Sequence, residues 1–480
     1  MNITNRGSRP GLILVICCLS ILLVSLDVTI VNIALPAIRS SLGASFSGLQ
    51  WTIDSYTLVL ASLLMLSGSL GDRLGRRRIF QAGLALFTLG SLLCGLAPTL
   101  GWLIAFRVLQ AAGGSMLNPV AMAIVVNTFS DPRQRARAIG IWGGVVGVSM
   151  ALGPILGGTL VDRVGWRSIF WVNVPIGVAA LVLTRLFVPE SRAAVARAVD
   201  PIGQVLVLLL LGTLTYAIID APRTGWLAPG TLVLFGAAAA AAAGLAVAEP
   251  RRREPLIDFR FFSSVPFTAA TLTAVAAFAT LGSFLFVNTL YLQNVLGYSP
   301  VMAGLLTLPM AVMAAVFAPV SGRLVAARGA RLPLVLAGTF TAAGAALLIR
   351  LAPTTSHAQL LVAYTLIGMG FGLVNAPITN TATSGMPRAR AGVASATAST
   401  SRQVGISLGV AVGGSLVAGA SGAQFTADSH AVWALIVGCG VVIALLGLLS
   451  TGRAAERTAA RTGHLLEAEV HDAERRVAAA

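Results

Sequence analysis

The chain has 480 residues, of which 56% are hydrophobic and only 10% are charged. This composition excludes a soluble globular protein, because one water-soluble core cannot bury so much apolar material. All 33 basic residues are arginine, and the net charge is +16. A chain without lysine cannot contain the GK[ST] of an ATP-binding phosphate loop, so an intrinsic ATPase is excluded as well.

The predicted elements are membrane-spanning helices. Each is a stretch of about 17 to 26 mostly apolar residues, enough to cross a hydrocarbon core of roughly 30 Å at 1.5 Å per residue. The expected fold class is an all-α integral membrane protein with fourteen spans. In chain order they are 12–36, 50–70, 79–97, 101–126, 137–160, 168–188, 201–219, 230–247, 267–290, 301–322, 331–351, 358–380, 393–417 and 431–450.

The arginines outside these spans are concentrated in alternate loops. The intervening loops hold only five, which are Arg39, Arg163, Arg167, Arg223 and Arg350. By the positive-inside rule, this asymmetry places both termini in the cytoplasm and requires an even number of spans. Because the positive charge follows membrane topology, no nucleic-acid partner is expected.

Three ionisable residues lie within the first four spans, namely Asp27, Asp54 and Arg107. Each costs about 2.5 to 3.5 kcal/mol at a helix centre, so a chain that keeps three is expected to use them. With a cytoplasmic N-terminus, all three lie roughly 6 to 14 Å below the outer surface and could share one pocket. Asp27 is deeper and is the expected proton carrier, whereas Asp54 is expected to meet interfacial water. A static ion pair that only fixes helix packing is the alternative.

Further polar side chains in the spans need a partner or a cavity, because lipid offers neither donors nor acceptors. Arg402 lies near mid-membrane with no intramembrane acid in its own half of the chain. It could contact an anionic substrate group, reach Asp27 or be capped by carbonyls. The candidates for a substrate cavity are Asn32, Gln110, Asn118, Asn288, Asn375, Arg402 and Gln403.

An internal repeat organises the chain. The segment SGSLGDRLGRRR from Ser67 recurs in degraded form as SGRLVAARGAR from Ser321, and two later glycine-bearing segments recur at similar offsets. Duplicated halves predict two lobes with a binding site between them near the bilayer midplane. The expected domains are a six-helix lobe over 1–190, two inserted helices with linkers over 191–262, a second six-helix lobe over 263–452 and a loose, solvated cytoplasmic tail over 453–480.

Five segments in the first 180 residues stand in a fixed order. They are LDVTIVNIALP from Leu26, GSLGDRLGRRR from Gly68, Leu103–Gly114, Gly140–Gly158 and WRSIFWVNVPIG from Trp166. This set resembles the major facilitator superfamily, and specifically its fourteen-span drug/proton antiporter branch. Ala111 and Ser149 depart from the pattern, since each stands where glycine is usual.

The resemblance implies roles for three groups of residues. It implies proton transfer at the fourth-span motif that contains Arg107 and Gln110, beside the acids Asp27 and Asp54 considered above. It implies a cytoplasmic gating motif formed by Gly68, Asp72, Arg73, Gly75, Arg76 and Arg77. It also implies an antiporter motif, which seals the fifth span against a helix of the other lobe, formed by Gly153, Pro154, Gly157 and Gly158. The alternatives are arginines that only set topology and glycines that only pack.

The expected function is proton-coupled export of small amphipathic drugs or antibiotics across the inner (cytoplasmic) membrane, conferring multidrug resistance. The proton gradient supplies the energy, and neither a cofactor nor a metal is expected. The expected partners are a small-molecule substrate, protons and the lipid bilayer. An adaptor protein is a further candidate partner that the sequence neither indicates nor excludes. One alternative is a dedicated exporter of one endogenous metabolite, such as a self-made antibiotic. A membrane sensor is disfavoured because the sequence contains no soluble signalling domain, and no grouped nucleophile and base suggests an enzyme.

Overall fold

The computed structural model describes residues 9–193, 200–252, 255–387 and 390–478, and the regular structure within these ranges is helical. The first half contains α1 (Pro10–Leu42), α2 (Phe46–Leu74), α3 (Arg76–Leu96), α4 (Leu100–Thr128), α5 (Pro132–Arg163), the one-turn α6 (Ser168–Trp171), α7 (Asn173–Phe187), α8 (Pro201–Thr224) and α9 (Pro229–Ala248). The second half contains α10 (Val265–Leu290), α11 (Pro300–Arg328), α12 (Arg331–Ala346), α13 (His357–Thr383), α14 (Ala391–Leu416), α15 (Gly422–Leu449) and α16 (Arg453–Ala478).

Short elements join some of these helices. A π-helical turn over Tyr291–Val295 continues α10, and 3₁₀ turns occupy Glu249–Arg251 and Phe259–Ser263. Polar side chains at several helix starts accept hydrogen bonds from the first turn, as N-caps do. Asp131 Oδ1 accepts from the backbone N–H of Gln134 at 2.9 Å, and Asp200 Oδ1 accepts from that of Gly203 at 3.0 Å.

Twelve helical segments of the described residues are long and apolar enough to cross a membrane. The all-α membrane class is therefore confirmed, but the expected count of fourteen spans is not supported. The two predicted spans outside the twelve are 331–351 and 393–417. The first corresponds to α12, which is only 16 residues long, against about 20 for a full span. The second corresponds to α14, in which Arg402, Gln403 and several serines and threonines lower the hydropathy.

The chain divides into two compact units, Met1–Ala238 with Leu285–Leu308 and Ala239–Phe284 with Pro309–Ala480. The core of the first unit includes Phe80, Leu84, Phe87 and Leu117, on α3 and α4. In the second unit, α12 packs closely on α15. If Gly338 carried a Cβ, that atom would lie only 2.5 Å from the backbone nitrogen of Ala444, so the contact requires glycine. Such small-residue contacts let membrane helices approach closely. The lobe boundaries expected from the repeat stay predictions.

The C-terminal helix α16 packs against other segments of the second unit. Its residues Ala455, Ala459 and Leu466 are buried. Thr458 Oγ1 accepts a hydrogen bond from the backbone N–H of Val265 at 3.0 Å, at the start of α10. The tail was expected to be loose and solvated, but it forms a helix whose inner face is packed over its first half. This face is packed because its small residues, Ala455 and Ala459, let the helix approach a neighbouring backbone closely.

Candidate functional site

The first unit contains a fully buried ion pair. Asp27 lies near the middle of α1 and is 0% exposed, and Arg107 lies two turns into α4 and is 1% exposed. Arg107 Nη1 donates to Asp27 Oδ2 at 2.5 Å. Neither charge could be buried alone without a cost of several kcal/mol, so each requires the other.

Gln110 closes a ring with these two residues. Its Nε2 donates to Asp27 Oδ1 at 2.8 Å, and its Oε1 accepts from Arg107 Nη1 at 2.8 Å. The three-residue spacing from Arg107 places both side chains on one face of α4. Since both oxygens of Asp27 accept hydrogen bonds, the ring fits the ionised carboxylate. Gln110 was predicted to line a substrate cavity, and the structure places it in this buried ring.

Two polar residues from other helices extend the ring. Ser91 of α3 accepts a hydrogen bond from Gln110 Nε2 at 2.7 Å. Asn173, the first residue of α7, points its Nδ2 at Ser91 Oγ (3.4 Å) and at Asp27 Oδ1 (3.5 Å). Both residues are fully buried. The network therefore joins α1, α3, α4 and α7 through side-chain hydrogen bonds alone.

The rest of the Arg107 side chain contacts α2 and α6. Its Nε donates to the carbonyl oxygen of Thr52 at 3.1 Å. Its guanidinium carbon lies 4.1 Å from the ring centroid of Tyr56 and 5.9 Å from that of Phe170. Cations over aromatic faces gain about 2 kcal/mol when desolvated. Charge, a carbonyl and two rings thus fix the position of the guanidinium.

Asp54 lies on α2 and is fully buried, rather than at the water-exposed position expected for it. The hydroxyl of Thr57, one turn further along the helix, donates to Asp54 Oδ1 at 3.4 Å. The hydrogen-bonded ring is formed by Asp27, Arg107 and Gln110. The structure therefore brings Asp27 and Arg107 together, while the role of Asp54 stays a prediction.

The predicted gating motif forms the turn between α2 and α3. Gly75 has φ = 112°, a conformation that residues with a Cβ rarely adopt. Asp72 Oδ1 accepts from Arg76 Nη2 at 2.9 Å across this turn. Arg73 is exposed, and Gly68 faces Pro119 of α4 at ordinary contact distance.

Glu190, which the sequence motifs did not indicate, caps the start of α3. Its Oε1 accepts from the backbone N–H of Arg77 at 3.0 Å, and its Oε2 lies 3.8 Å from Arg78 Nε. A Cβ on Gly75 would lie 2.6 Å from Glu190 Oε1, so only glycine leaves room for the carboxylate. A negative charge at a helix N-terminus is favourable. The chain after α7 is thereby tied to the gating motif.

The predicted antiporter motif packs α5 against two other segments of the first unit. A Cβ on Gly157 would lie 2.7 Å from Ile30 Cγ1 of α1, and one on Gly158 would lie 2.5 Å from the carbonyl oxygen of Pro300, at the start of α11. The other two motif residues are also in contact, Gly153 with Thr29 and Pro154 with Gly304. The helix surface that α5 covers therefore begins two residues after Asp27.

The other cavity candidates fall into both units. In the first unit, Asn32 donates to the carbonyl oxygen of Val28 at 2.8 Å, and its buried Oδ1 has no hydrogen-bond partner in the part of the chain that the structure describes. Asn118 is half-buried, and Asn288 is buried near the end of α10. In the second unit, the half-buried candidates are Asn375, Arg402 and Gln403. Whether any of them meets a substrate stays a prediction.

Residues 17–410 match the family model described as Major Facilitator Superfamily. The chain belongs to the Major Facilitator Superfamily. This superfamily match covers most of the chain, including all five segments that carried the resemblance. The narrower fourteen-span branch is not distinguished by this match. Membership identifies the protein as a multi-pass membrane transporter.

Several superfamily relatives have names that refer to drug resistance. The multidrug resistance protein Stp of Mycobacterium tuberculosis (strain CDC 1551 / Oshkosh) is 39% identical over 400 residues, covering 83% of this chain and 74% of the relative. The tetracenomycin C resistance and export protein of Streptomyces glaucescens is 40% identical, covering 88% and 78%. The puromycin resistance protein pur8 of Streptomyces alboniger is 37% identical, covering 86% and 83%.

Solved structures of transporters share the superfamily fold. The crystal structure of a D-xylose–proton symporter aligns with a TM-score of 0.64 at 15% identity, covering 91% of this chain and 96% of that one. That of the peptide transporter POT aligns with a TM-score of 0.65 at 17% identity, covering 94% and 95%. At such identities these similarities show the fold alone.

Sequence reasoning found two members of the buried ring as charged residues in apolar helices. It missed Ser91, Asn173 and the aromatic ring of Tyr56. Asn173 is a polar residue within WVNVPIG, so its position in an apolar stretch could have indicated a buried contact. Ser91 gave no such signal, because serine is common in membrane helices and bonds to its own backbone.

Proposed function

We propose that this transporter exports antibiotic-like amphipathic molecules in exchange for protons, as a member of the fourteen-span drug/proton antiporter branch. Two observations support the proposal. Relatives that cover most of the chain have names that refer to resistance or export. The first unit contains a buried carboxylate in a hydrogen-bonded ring with an arginine. The hydrogen-bonded ring is the observation that supports proton coupling.

The ring explains how one proton would change the structure. Protonation of Asp27 turns one oxygen from an acceptor into a donor. That oxygen then accepts more weakly from its present donor, either Arg107 or Gln110, and its new proton needs an acceptor. In either case Arg107 loses its counter-ion and the ring must rearrange. A helix arrangement that better suits neutral Asp27 would then gain population.

The position of Asp27 gives this change a route to helix packing. Thr29 and Ile30, which follow it on α1, contact Gly153 and Gly157 of α5. A shift of α1 at Asp27 would therefore move the surface against which α5 is packed. In the proposed cycle, the proton favours one arrangement and the exported molecule favours the other.

The proposal is tested with Asp27→Asn in everted vesicles with an acidic interior. Candidate compounds are a lipophilic cation, a neutral antibiotic and an acidic aromatic. In the wild type, an exported compound should release protons from the vesicles. Asp27→Asn keeps the side-chain shape but cannot ionise, so release should fall at least tenfold. Asp220→Asn removes a half-buried acid of α8 that pairs with Arg223, outside the ring, and serves as the matched control.

Each result of this experiment assigns the role of Asp27. If Asp27→Asn releases protons as fast as the wild type, Asp27 is structural, and Asp54→Asn becomes the next variant to measure. If a correctly folded wild type responds to no compound, proton-coupled export of drug-like molecules is refuted for this panel.

A dedicated exporter of one metabolite is the second candidate. It is favoured by the relative named for resistance to, and export of, tetracenomycin C alone. A response to one compound and its close analogues would support this narrower function, whereas responses to unrelated compounds would support multidrug export.

The proposed topology has fourteen crossings, with both termini in the cytoplasm and the protein in the inner membrane. The 26 residues of α14 extend over roughly 39 Å, enough for a bilayer. The chain after α12 continues in a turn over 347–350, which lengthens that segment. The proposed partners are protons, lipid and a small-molecule substrate, with no cofactor.

A further inference from the structure

We propose that Arg402 binds the carboxylate of an aromatic acid, so that the second unit selects anionic aromatic molecules. This inference rests on the proposed export function and names a substrate class for it. It rests on an arginine in the middle of α14 whose charge no described residue neutralises, and on the aromatic ring of Phe278 beside it.

The contacts of Arg402 use only part of its guanidinium group. Nη2 donates to Thr379 Oγ1 at 2.6 Å and points at the carbonyl oxygen of Asn375 at 3.5 Å, both on α13. Nε is buried and has no partner among the described residues. Nη1 likewise has none there, so three of the five N–H donors of the side chain are available.

The charge of Arg402 is also unpaired. No carboxylate of the described residues forms an ion pair with it, in contrast to Arg107, which is paired with Asp27. A hydroxyl and a carbonyl satisfy hydrogen bonds but do not neutralise a cation. Because an uncompensated charge in an apolar environment is costly, an anion from outside the chain would be strongly favoured here.

One aromatic ring lies next to the guanidinium, and a second ring packs on the first. The Arg402 guanidinium carbon is 5.9 Å from the ring centroid of Phe278, and Phe278 packs edge-to-face on Phe371 at 5.2 Å. Phe278 is half-buried, so it offers apolar surface to a bound molecule. A guanidinium beside phenylalanine rings fits a carboxylate attached to an aromatic group, because the two parts contact different neighbours.

The inference is tested by binding, without a gradient, to the purified full chain in detergent. The probes are tritiated 2-naphthoate and 2-naphthamide, which share a ring and differ in charge. We expect the wild type to bind naphthoate at least tenfold more tightly than naphthamide. Arg402→Gln should reduce that preference to less than twofold. Arg350→Gln, which removes an exposed arginine after α12, should leave the preference unchanged.

Arg402→Lys keeps the inference testable if the glutamine variant does not fold. Lysine retains the charge but loses the planar fork, so naphthoate preference should fall and remain above that of a neutral residue. A wild type with no preference for naphthoate, or an Arg402→Gln protein that keeps it, would overturn the inference whatever the vesicle experiment shows about proton exchange.

Discussion

At the scale of single residues, Arg107 of α4 and Arg402 of α14 differ in how their charge is balanced. Arg107 is paired with Asp27, bonded to Gln110 and flanked by Tyr56. Arg402 has a hydroxyl and a carbonyl but no described carboxylate. A balanced pair can change state when a proton arrives, whereas an unbalanced cation attracts an anion. The same residue type is therefore suited to two different tasks.

Glu190 is a single residue with a testable contribution. Glu190→Ala removes the carboxylate that accepts from the N–H of Arg77 at the start of α3. Loss of a helix cap costs about 1 kcal/mol, so the melting temperature in detergent should fall by a few degrees. Glu190→Gln keeps an acceptor oxygen without the charge and should fall less. Equal melting of the alanine variant and the wild type would contradict the capping role.

At the scale of elements, α5 shows that glycines of one helix are not equivalent. Gly153, Gly157 and Gly158 lie against neighbouring backbone or side chains. At Gly140 and Gly144, by contrast, no atom of the described residues lies within 4 Å of a Cβ position. Membrane helices have little hydrophobic drive to associate, so close packing at small residues holds them together. Only the packed glycines therefore fix the position of α5 against α1.

This difference predicts the effect of two matched substitutions in α5. Gly157→Leu places a large side chain against Ile30 and should destabilise the protein by about 1 to 3 kcal/mol. It should also reduce transport at least tenfold, because α1 carries Asp27. Gly144→Leu lies in open space on the same helix and should leave both melting temperature and transport near wild type. Similar transport by the two variants would show that the α1–α5 contact is dispensable.

At the scale of the whole molecule, the number of crossings is the main difference between sequence and structure. Hydropathy and length support twelve segments, and α12 and α14 fall outside them for different reasons. One is short, and the other is polar at Arg402 and Gln403. A polar helix can still cross a bilayer when its polar face meets protein or a cavity rather than lipid.

The proposed fourteen crossings can be measured by labelling single cysteines with a membrane-impermeant maleimide. The native Cys17, Cys18, Cys94 and Cys439 would first be replaced by serine. Thr354→Cys follows α12 and should be labelled in intact cells, whereas Arg328→Cys precedes α12 and should be labelled only after permeabilisation. Ser421→Cys, after α14, should behave like Thr354→Cys. Labelling of positions 328 and 354 from the same side would show that α12 does not cross.

The sequence by itself determined the membrane class and, through its motifs, the superfamily, and it indicated Asp27 and Arg107 as charged residues within apolar helices. These follow from local properties, because apolar length identifies membrane helices and charges in lipid are costly wherever they occur. The family resemblance also indicated the gating motif that contains Gly75 and the glycines of α5 that are packed in the structure.

Only the tertiary structure decided which side chains meet. Gln110 was expected in a cavity and lies in the ring, and Asn173 joins Asp27 from 146 residues away in the chain. Glu190 caps α3 by accepting from Arg77, which lies 113 residues earlier in the chain. The packing of α16 was likewise shown only by the tertiary structure. A hydrogen bond forms only when the donor–acceptor distance is right to within a few tenths of an ångström, and here the partners lie on helices that are remote in sequence. Periodicity and composition contain no information about such distances.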